Sequence, residues 1–242
     1  MPTSAKDRLL DVQKLSCGYG DRCVITMLDL IADCGELIAL IGHNGAGKST
    51  LLRAINADNS VRISEGAVYY KGISNDDATP RTLRKRGIAY CAQGGRVFQD
   101  LTAIENLQLG AESVRRLEAT SLLKMEAERW FPALSTAWAS LASELSGGQQ
   151  QMLSISMALA SRPSLLLLDE PTLGLSPRLV AELLAKIQAI ATTGVAVMIV
   201  EHRVREVLAV ADRAYVLRAG RVSFEGTSLA LQDDNLLKKV YL

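Results

Sequence analysis

A glycine-rich segment from Gly42 to Ser49 has the residue types and spacing of a phosphate-binding loop. Its sequence, Gly-His-Asn-Gly-Ala-Gly-Lys-Ser, matches the pattern G-x-x-x-x-G-K-[ST] between a strand-like run and a helix-like segment. Glycines allow backbone N–H groups to turn toward phosphate oxygens, and the following helix N-terminus adds positive potential. We expect Lys48 to reach the terminal phosphates of a nucleotide and Ser49 to ligate Mg²⁺. The predicted nucleotide-binding residues here are Gly42, Asn44, Gly45, Ala46, Gly47, Lys48, Ser49 and Thr50.

A second candidate is a pair of carboxylates at the end of an apolar run. Leu165 to Leu168 has the pattern of a strand buried on both faces, and Asp169 and Glu170 follow it directly. The carboxyl ends of such strands form the edge of the sheet where α/β folds bind ligands. Taken alone, a strand that ends in Asp-Glu is usually an ordinary loop start. Together with the phosphate-binding loop, the pair predicts that Asp169 contributes to a Mg²⁺ shell and that Glu170 orients or deprotonates an attacking water.

A third candidate is the segment Leu145 to Gln149, with the sequence Leu-Ser-Gly-Gly-Gln. A serine and two glycines precede residues 150–160, which are predicted to be helical, so this is a second helix N-terminus suited to an anion. Two phosphate-binding elements in one chain would suit a nucleotide that is held from both sides. The nucleotide-binding residues predicted in this segment are Ser146, Gly147, Gly148 and Gln149.

A sheet and its helices must bring these candidates together, and the apolar pattern predicts both. Leu37 to Ile41 is another run typical of a buried strand, and residues 195–200 form one more. Strand-like and helix-like segments alternate, which predicts an α/β fold with a largely parallel sheet. Residues 9–31 alternate in apolar character around a turn at 18–21, which predicts an antiparallel β element at the start. A helix is expected over residues 48–57.

The strand signals stop between about Asp100 and Glu144, where Ala, Leu and Glu dominate. Trp130, Phe131 and Trp138 are the large apolar residues there, and we interpret them as core anchors rather than a cofactor site. The segment predicts an inserted α-helical subdomain over about 94–158.

Two further elements follow the carboxylate pair. Ser176 and Pro177 are residue types preferred at the N-cap and first position of a helix, which is predicted to end at Gly194. Residues 215–217 and 222–224 flank an Ala-Gly turn and predict a hairpin.

The composition restricts the partners that this chain could have. Lys and Arg number 27 and Asp and Glu 26, for a formal net charge of +1, so no global field attracts nucleic acid. The dense basic run from Arg81 to Arg86 is interpreted as a solvated face or turn. The four cysteines lack the paired spacing of a metal site and are expected to be free thiols. No apolar stretch approaches the roughly 18 residues of a spanning helix, so membrane association would have to go through a partner.

The combination of the phosphate-binding loop with Leu145 to Gln149 resembles the nucleotide-binding subunits of ABC transporters. The sequence Leu-Ser-Gly-Gly-Gln is the signature of that family, and the similarity covers nearly the whole chain. The resemblance implies one ABC nucleotide-binding domain over residues 1–242. Its expected parts are a P-loop NTPase core, an N-terminal antiparallel β subdomain and the inserted helical subdomain. ATP and Mg²⁺ are the implied substrate and metal, and the implied activity is ATP hydrolysis coupled to transmembrane transport.

The resemblance assigns three residues whose types alone leave their roles open. Tyr19 resembles the aromatic residue that stacks on adenine, although a turn tyrosine could equally pack or be exposed. Gln93 resembles the glutamine that touches Mg²⁺ or water and senses the membrane partner, although a lone glutamine could be a surface residue. His202 resembles the histidine that contacts the γ-phosphate, although it could equally be structural. The predicted catalytic residues are therefore Glu170, His202 and Gln93, and the predicted metal ligands are Ser49, Gln93 and Asp169.

The resemblance also implies partners. In the family the nucleotide lies between two ATPase subunits, which implies a homodimer or heterodimer with Ser146, Gly147 and Gly148 acting in trans. Integral membrane permease subunits are implied as well, and an extracytoplasmic solute-binding protein indirectly. Gly94 to Leu109 is the expected docking surface for a permease helix. The implied location is peripheral, on the cytoplasmic face of the inner or plasma membrane.

Several stretches are similar to importers of branched-chain amino acids and related amides. They are Ala89 to Phe98, Leu101 to Leu107, Glu170 to Pro177, Val200 to His202 and Val240 to Leu242. The function implied is ATP-driven uptake of such substrates through separate permeases. Two alternatives stay open, namely the ATPase of a lipid or lipopolysaccharide exporter and a non-transport regulatory ATPase.

Two positions depart from the family pattern. Met157 stands where an arginine is usual in the helix after the signature, so a local salt bridge is expected to be missing. Pro177 stands where many members have aspartate, although the importer group shares this tendency. Neither residue is an expected phosphate or Mg²⁺ ligand, so we expect activity with altered coupling.

Overall fold

The computed structural model describes residues 8–114, 116 and 118–241. Met1 to Asp7 and Leu242, the last residue of the importer-like stretches, lie outside the described residues. The strands are β1 (Arg8–Tyr19), β2 (Arg22–Asp33), β3 (Leu37–Gly42), β4 (Arg62–Tyr70), β5 (Ile73–Ser74), β6 (Ile88–Cys91), β7 (Leu165–Asp169), β8 (Ala196–Val200), β9 (Arg213–Arg218) and β10 (Arg221–Thr227). The helices are α1 (Lys48–Ile55), α2 (Pro80–Arg86), α3 (Ala103–Glu112), α4 (Thr120–Trp130), α5 (Gly147–Leu159), α6 (Pro177–Ala191), α7 (Val204–Leu208) and α8 (Asp234–Tyr241).

The larger of two sheets has the strand order β10-β9-β3-β8-β7-β6. β3 runs parallel to β8 and β9, and β7 runs parallel to β6 and β8. β9 and β10 form the predicted antiparallel hairpin at the edge. The α/β fold with a largely parallel sheet is therefore confirmed.

The ends of the central strands are aligned, which brings the candidate segments to one edge of this sheet. Val200 at the end of β8 is in register with Leu40 of β3 on one side and with Asp169 of β7 on the other. All three strands are buried along their whole length, as their continuous apolar runs predict. The phosphate-binding loop, the carboxylate pair and His202 therefore all leave the sheet at the same edge.

The smaller sheet is antiparallel and has the order β2-β1-β4-β5. β1 and β2 pair as the sequence predicts, whereas β4 and β5 extend the sheet beyond residues 9–31. β4 was not predicted because most of its residues are exposed or half-buried, so its apolar alternation is weak. Apolar side chains of this sheet and of α1 pack against one face of the larger sheet.

The stretch between β6 and β7 is helical, as predicted. It contains α3, α4 and α5, together with short 3₁₀ turns at Pro132–Leu134 and Ala142–Glu144. Phe131 and Trp138 are buried in a core that is shared with the larger sheet, and Trp130 packs against it while half-buried. Their interpretation as core anchors is confirmed.

The interpretation of the basic run as a solvated face or turn is correct only in part. The run forms the helix α2, and only Arg81 and Lys85 are exposed. Arg86 Nη2 donates hydrogen bonds to the carbonyl oxygens of Tyr70 (3.3 Å) and Ile73 (3.2 Å). Arg84 is half-buried as well, so two of the four cations are structural because they satisfy backbone carbonyls.

The two departures from the family pattern occupy ordinary helical positions. The carbonyl oxygen of Met157 in α5 accepts a hydrogen bond from Arg84 Nη2 at 3.1 Å, so an arginine from another helix reaches this point. Pro177 is the first residue of α6, as predicted, although the side chain of the N-cap Ser176 makes no capping hydrogen bond. The cysteines are free thiols, as expected.

Candidate nucleotide-binding site

A cleft of about 600 Å³ at the carboxyl edge of the larger sheet brings most of the predicted site residues together. This volume lies within the range of small-molecule sites, roughly 300 to 1,000 Å³. Gly42, Ala46 and Asp169 are buried and do not line the cleft. Residues 146–149 do not line it either. The cleft is lined by Tyr19, Arg22, Val24, Asn44, Gly45, Gly47, Lys48, Ser49, Thr50, Gln93, Glu170, Leu173 and His202.

The loop between β3 and α1 depends on two glycines for its shape. Gly42 ends β3, and a Cβ at this position would overlap the carbonyl oxygen of Leu217 on the neighbouring strand. Gly47 is the N-cap of α1 with φ 103°, and a Cβ there would come within 2.5 Å of Ile25 Cδ1. Only glycine adopts this backbone conformation without strain and leaves room for the β1–β2 sheet. The first residues of α1, from Lys48 to Thr50, line the cleft, and a helix N-terminus is suited to bind an anion there.

Lys48 is the buried cation of the site, with 5% of its surface exposed. Its ammonium Nζ donates hydrogen bonds to the carbonyl oxygens of Gly42 (2.7 Å) and His43 (3.0 Å). Burial lowers the pKa of Lys48, and the nearby carboxylates of Glu170 and Asp169 oppose that shift. The side chain is therefore folded against its own loop, with its charge next to the floor of the cleft.

Asp169 is held from two sides beneath the cleft. Ser49 Oγ donates a hydrogen bond to Oδ1 at 2.8 Å, and the Tyr90 hydroxyl donates one to Oδ2 at 3.1 Å. Burial raises the pKa of Asp169, and both hydrogen bonds act in the opposite direction. A hydroxyl and a carboxylate are oxygen donors of the kind that Mg²⁺ takes when phosphates and water complete its shell. The described residues contain no larger cluster of His, Cys, Asp and Glu that could hold a metal.

Glu170 contacts both other predicted catalytic residues. Its Oε1 lies 2.7 Å from His202 Nε2, and its Oε2 accepts a hydrogen bond from Gln93 Nε2 at 2.7 Å. The backbone of Glu170 adopts φ 51°, a conformation that costs free energy in any residue with a Cβ. Its N–H donates a hydrogen bond to the carbonyl oxygen of Val200 at 2.9 Å. The structure thus places the Glu170 carboxylate, on a strained backbone, between an imidazole and an amide at the cleft.

Glu201 is a supporting residue that the sequence indicated only through its place beside His202. It is 2% exposed, and burial raises its pKa. Its Oε1 accepts from the N–H of Thr172 at 2.9 Å, and its Oε2 accepts from the N–H of His202 at 3.2 Å. One carboxylate therefore joins the loops that follow β7 and β8.

Tyr19 is anchored by its phenol oxygen rather than left loose on the turn. That oxygen accepts a hydrogen bond from Arg53 Nη1 at 3.2 Å and lies 3.3 Å from Thr50 Oγ1. Interaction with Tyr90 is the main cause that raises the pKa of Arg53. Neither Arg53 nor Tyr90 was predicted from the sequence. Their positions were the available indications, because Arg53 lies in the helix after the loop and Tyr90 lies on β6 beside β7.

The segment that begins α5 forms a closed cap of its own. The Oγ of the N-cap Ser146 accepts from the N–H of Gln149 at 3.3 Å, and Gln149 Oε1 accepts from the N–H of Ser146 at 3.0 Å. Ser146 and Gly147 are exposed, and a Cβ at Gly147 would meet nothing. This predicted nucleotide-binding element is therefore accessible, but it lies outside the cleft of its own chain.

No helix in the described part of the chain is long and apolar enough to cross a membrane.

Comparison with known proteins gives consistent matches. A family model described as ABC transporter matches residues 25–173. The high-affinity branched-chain amino acid transport ATP-binding protein BraG of Pseudomonas aeruginosa is 36% identical, over 97% of this chain and 99% of that protein. The lipopolysaccharide export system ATP-binding protein LptB of Haemophilus influenzae is 31% identical, over 97% of each. A solved structure of an ATP-binding subunit of an ABC transporter superposes with a TM-score of 0.82 at 29% identity, covering 96% of this chain and 99% of that one.

Proposed function

The chain belongs to the ABC transporter family as an ATP-binding, ATP-hydrolysing subunit, and we propose that it powers import of branched-chain amino acids or related small amides. The Pseudomonas relative, a branched-chain amino acid transport protein, supports this substrate class. The Haemophilus relative acts in lipopolysaccharide export and makes an exporter ATPase the second candidate, at somewhat lower identity. The single observation that carries the ATPase role is the contact of Glu170 with Gln93 and His202 above the phosphate-binding loop.

The residues at the cleft have separate proposed roles in binding and hydrolysing ATP. We propose that the loop N–H groups and Lys48 hold the phosphates and that the anchored ring of Tyr19 stacks on the base. Ser49 and Asp169, with Gln93, would hold Mg²⁺, which supplies charge neutralisation on the phosphates. Glu170 accepts the proton of the attacking water or orients that water, and His202 and Gln93 keep its carboxylate at the mouth of the cleft.

The nucleotide would be closed in by a second ATPase subunit. The cap at Ser146 presents an accessible helix N-terminus, yet it does not line the cleft of the same chain. An element that binds anions but lies outside its own site suits a neighbour's site. We propose that the signature of each subunit covers the nucleotide of the other in a homodimer or heterodimer.

A permease would dock on Gly94 to Leu109, which contains an exposed aromatic anchor. Phe98 is 57% exposed, whereas Asn106 is fully buried beneath it. The Asn106 amide accepts from the N–H of Phe98 at 2.7 Å and donates to the carbonyl oxygens of Phe98 (3.0 Å) and Thr102 (3.0 Å). The docking segment begins beside Gln93, so movement of a permease could reach Glu170. The protein would then be peripheral on the cytoplasmic face of the membrane.

Complementation between two inactive variants tests the dimer. Lys48→Ala disables the loop of one protomer, and Ser146→Arg disables the signature of the other. If the signature acts in trans, a mixed dimer contains one intact site, and a mixture of the two purified variants recovers ATPase activity. Two inactive variants that stay inactive when mixed, while each still dimerises, would refute action in trans.

Uptake separates the two transport classes. Cells that depend on this chain should lose uptake of labelled leucine when it carries Glu170→Gln, because turnover stops while ATP stays bound. The purified variant should bind ATP and remain dimeric. Unchanged leucine uptake together with loss of outer-membrane lipopolysaccharide would favour the exporter class instead.

A further inference from the structure

Tyr90 supports Asp169 from outside the cleft. Its hydroxyl donates a hydrogen bond to Asp169 Oδ2 at 3.1 Å. Tyr90 does not line the cleft, so it is not placed to touch the nucleotide directly.

We propose that Tyr90 is a positioning residue that holds the carboxylate of Asp169 for Mg²⁺. This inference rests on the proposed function, because it requires that the cleft binds ATP and Mg²⁺.

The two carboxylate oxygens of Asp169 have different hydrogen-bond donors. Ser49 takes Oδ1 and Tyr90 takes Oδ2, so the two hydroxyls together fix the rotation of the carboxylate. Ser49 is itself an expected Mg²⁺ ligand, and its oxygen must turn toward the cation when one binds. Tyr90 is not an expected Mg²⁺ ligand, so its hydroxyl need not move when the cation binds. It can therefore hold Asp169 in the same place before and after Mg²⁺ binding.

Tyr90 lies on β6, and β6 is paired with β7 so that Tyr90 is in register with Leu167. Asp169 ends β7 two residues further along, and the long phenol spans that offset while its ring stays half-buried. A shorter hydroxyl at this position of β6 could not reach the carboxylate.

The direct test is Tyr90→Phe, which keeps the ring and removes only the hydroxyl. Binding of a fluorescent ATP analogue to the purified protein is measured in EDTA and then during a Mg²⁺ titration. We expect unchanged binding in EDTA and a Mg²⁺ midpoint raised about threefold to tenfold, since one hydrogen bond to a charged group is lost. Hydrolysis should recover at high Mg²⁺. Tyr69→Phe, which removes a phenol hydroxyl lining a separate groove, should leave the midpoint unchanged.

A Mg²⁺ midpoint within twofold of the wild type, or equal weakening in EDTA, would overturn the role of Tyr90 and leave the proposed function standing. A wild-type protein that binds no ATP analogue would instead overturn the proposed function.

Discussion

Oε1 of Glu170 lies 2.7 Å from Nε2 of His202, although the two residues follow different strands and are 32 positions apart in the chain. The contact exists because β7 and β8 are adjacent and end at the same edge of the sheet. Glu201 accepts a hydrogen bond from the backbone N–H of His202 at the same time, which holds the backbone from which the imidazole extends. The geometry makes His202 the partner on which the orientation of Glu170 depends.

Replacing His202 tests this dependence. We expect His202→Ala to lower the rate of ATP hydrolysis by about 100-fold or more, as for loss of a group acting with a general base, with little change in ATP affinity. His202→Gln, which keeps a polar atom at similar reach, should retain more activity than the alanine variant. Steady-state ATPase assays and equilibrium binding of ATP would measure the two effects. Equal activity of wild type and His202→Ala would show that Glu170 needs no imidazole.

Several of these contacts follow from the sequence, and others do not. The phosphate-binding loop and the buried strands β3, β7 and β8 were predictable because each is encoded by a contiguous pattern. The contact between Glu170 and His202 required only the further rule that parallel strands end at one edge. Tyr90 and Arg53 were missed because their roles depend on which strand lies beside β7 and on how far a side chain reaches, which no local pattern records.

The basic run shows that composition does not distinguish exposed cations from structural ones. The same expectation, that a cluster of cations is solvated, applied to all four residues. They are Arg81, Arg84, Lys85 and Arg86. The fold distinguishes them, because α2 turns Arg84 toward Met157 and Arg86 toward the end of β4. Which cations are buried depends on the rotation of a short helix against its neighbours. No local pattern in a single sequence predicts that rotation.

Asp169 makes the stability of the protein without nucleotide depend on pH. Burial raises the pKa of this carboxyl above its ordinary value of 3.8. Below that value the group is protonated in folded and unfolded chains alike and carries no penalty. As pH rises through the raised pKa, the folded state must hold a buried charge, and stability is lost. We therefore expect Asp169→Asn to melt at a higher temperature than wild type near neutral pH in EDTA.

The difference in melting temperature between Asp169→Asn and wild type should shrink as the pH falls toward 4, because the wild-type carboxyl then becomes neutral too. Thermal unfolding between pH 4 and pH 8 would measure it. An asparagine variant that melts lower than wild type across this range would contradict the prediction. The same variant should lose its Mg²⁺-dependent gain in ATP binding, which separates stability from function.

A cluster of ion pairs ties α4 to the end of α5, and its two arginines provide a matched comparison. The Arg116 side chain is 8% exposed and contacts Glu118 and Glu126, while Nη1 donates to the carbonyl oxygen of Ala160 at 3.0 Å. The Arg162 side chain contacts the same carboxylates but is 62% exposed. We expect the more buried arginine to contribute more to stability, because exposed ion pairs are largely screened by water.

We expect Arg116→Met to lower the free energy of unfolding by about 2 kcal/mol, since it leaves the carbonyl oxygen of Ala160 without the buried charged donor. Arg162→Met should change it by about 1 kcal/mol or less. Urea denaturation of both variants would give the two values. Added salt should reduce only the loss of unfolding free energy caused by Arg162→Met. Equal losses from the two substitutions would contradict the importance of burial here.

Gly94 and Gly95, at the start of the proposed docking segment, form the second matched comparison. Both have positive φ, at 86° and 55°, so an alanine at either position strains the backbone. A Cβ at Gly94 would meet nothing within 4 Å, whereas a Cβ at Gly95 would lie 2.8 Å from Oε1 and 3.3 Å from Cα of Gln151. Gln151 belongs to the first turns of α5, four residues after Gly147.

Gly94→Ala should therefore cost only the backbone strain, about 1 kcal/mol of unfolding free energy. Gly95→Ala should cost more, because the new methyl group must also displace Gln151 and with it the N-terminus of α5. If the signature of α5 closes a neighbour's site, that displacement should also weaken ATP-dependent dimerisation. Urea denaturation and sedimentation of both variants, each also carrying Glu170→Gln to hold ATP, would separate the two effects. Gly95→Ala dimers as stable as those of Gly94→Ala would show that the docking segment and the signature are not mechanically connected through Gln151.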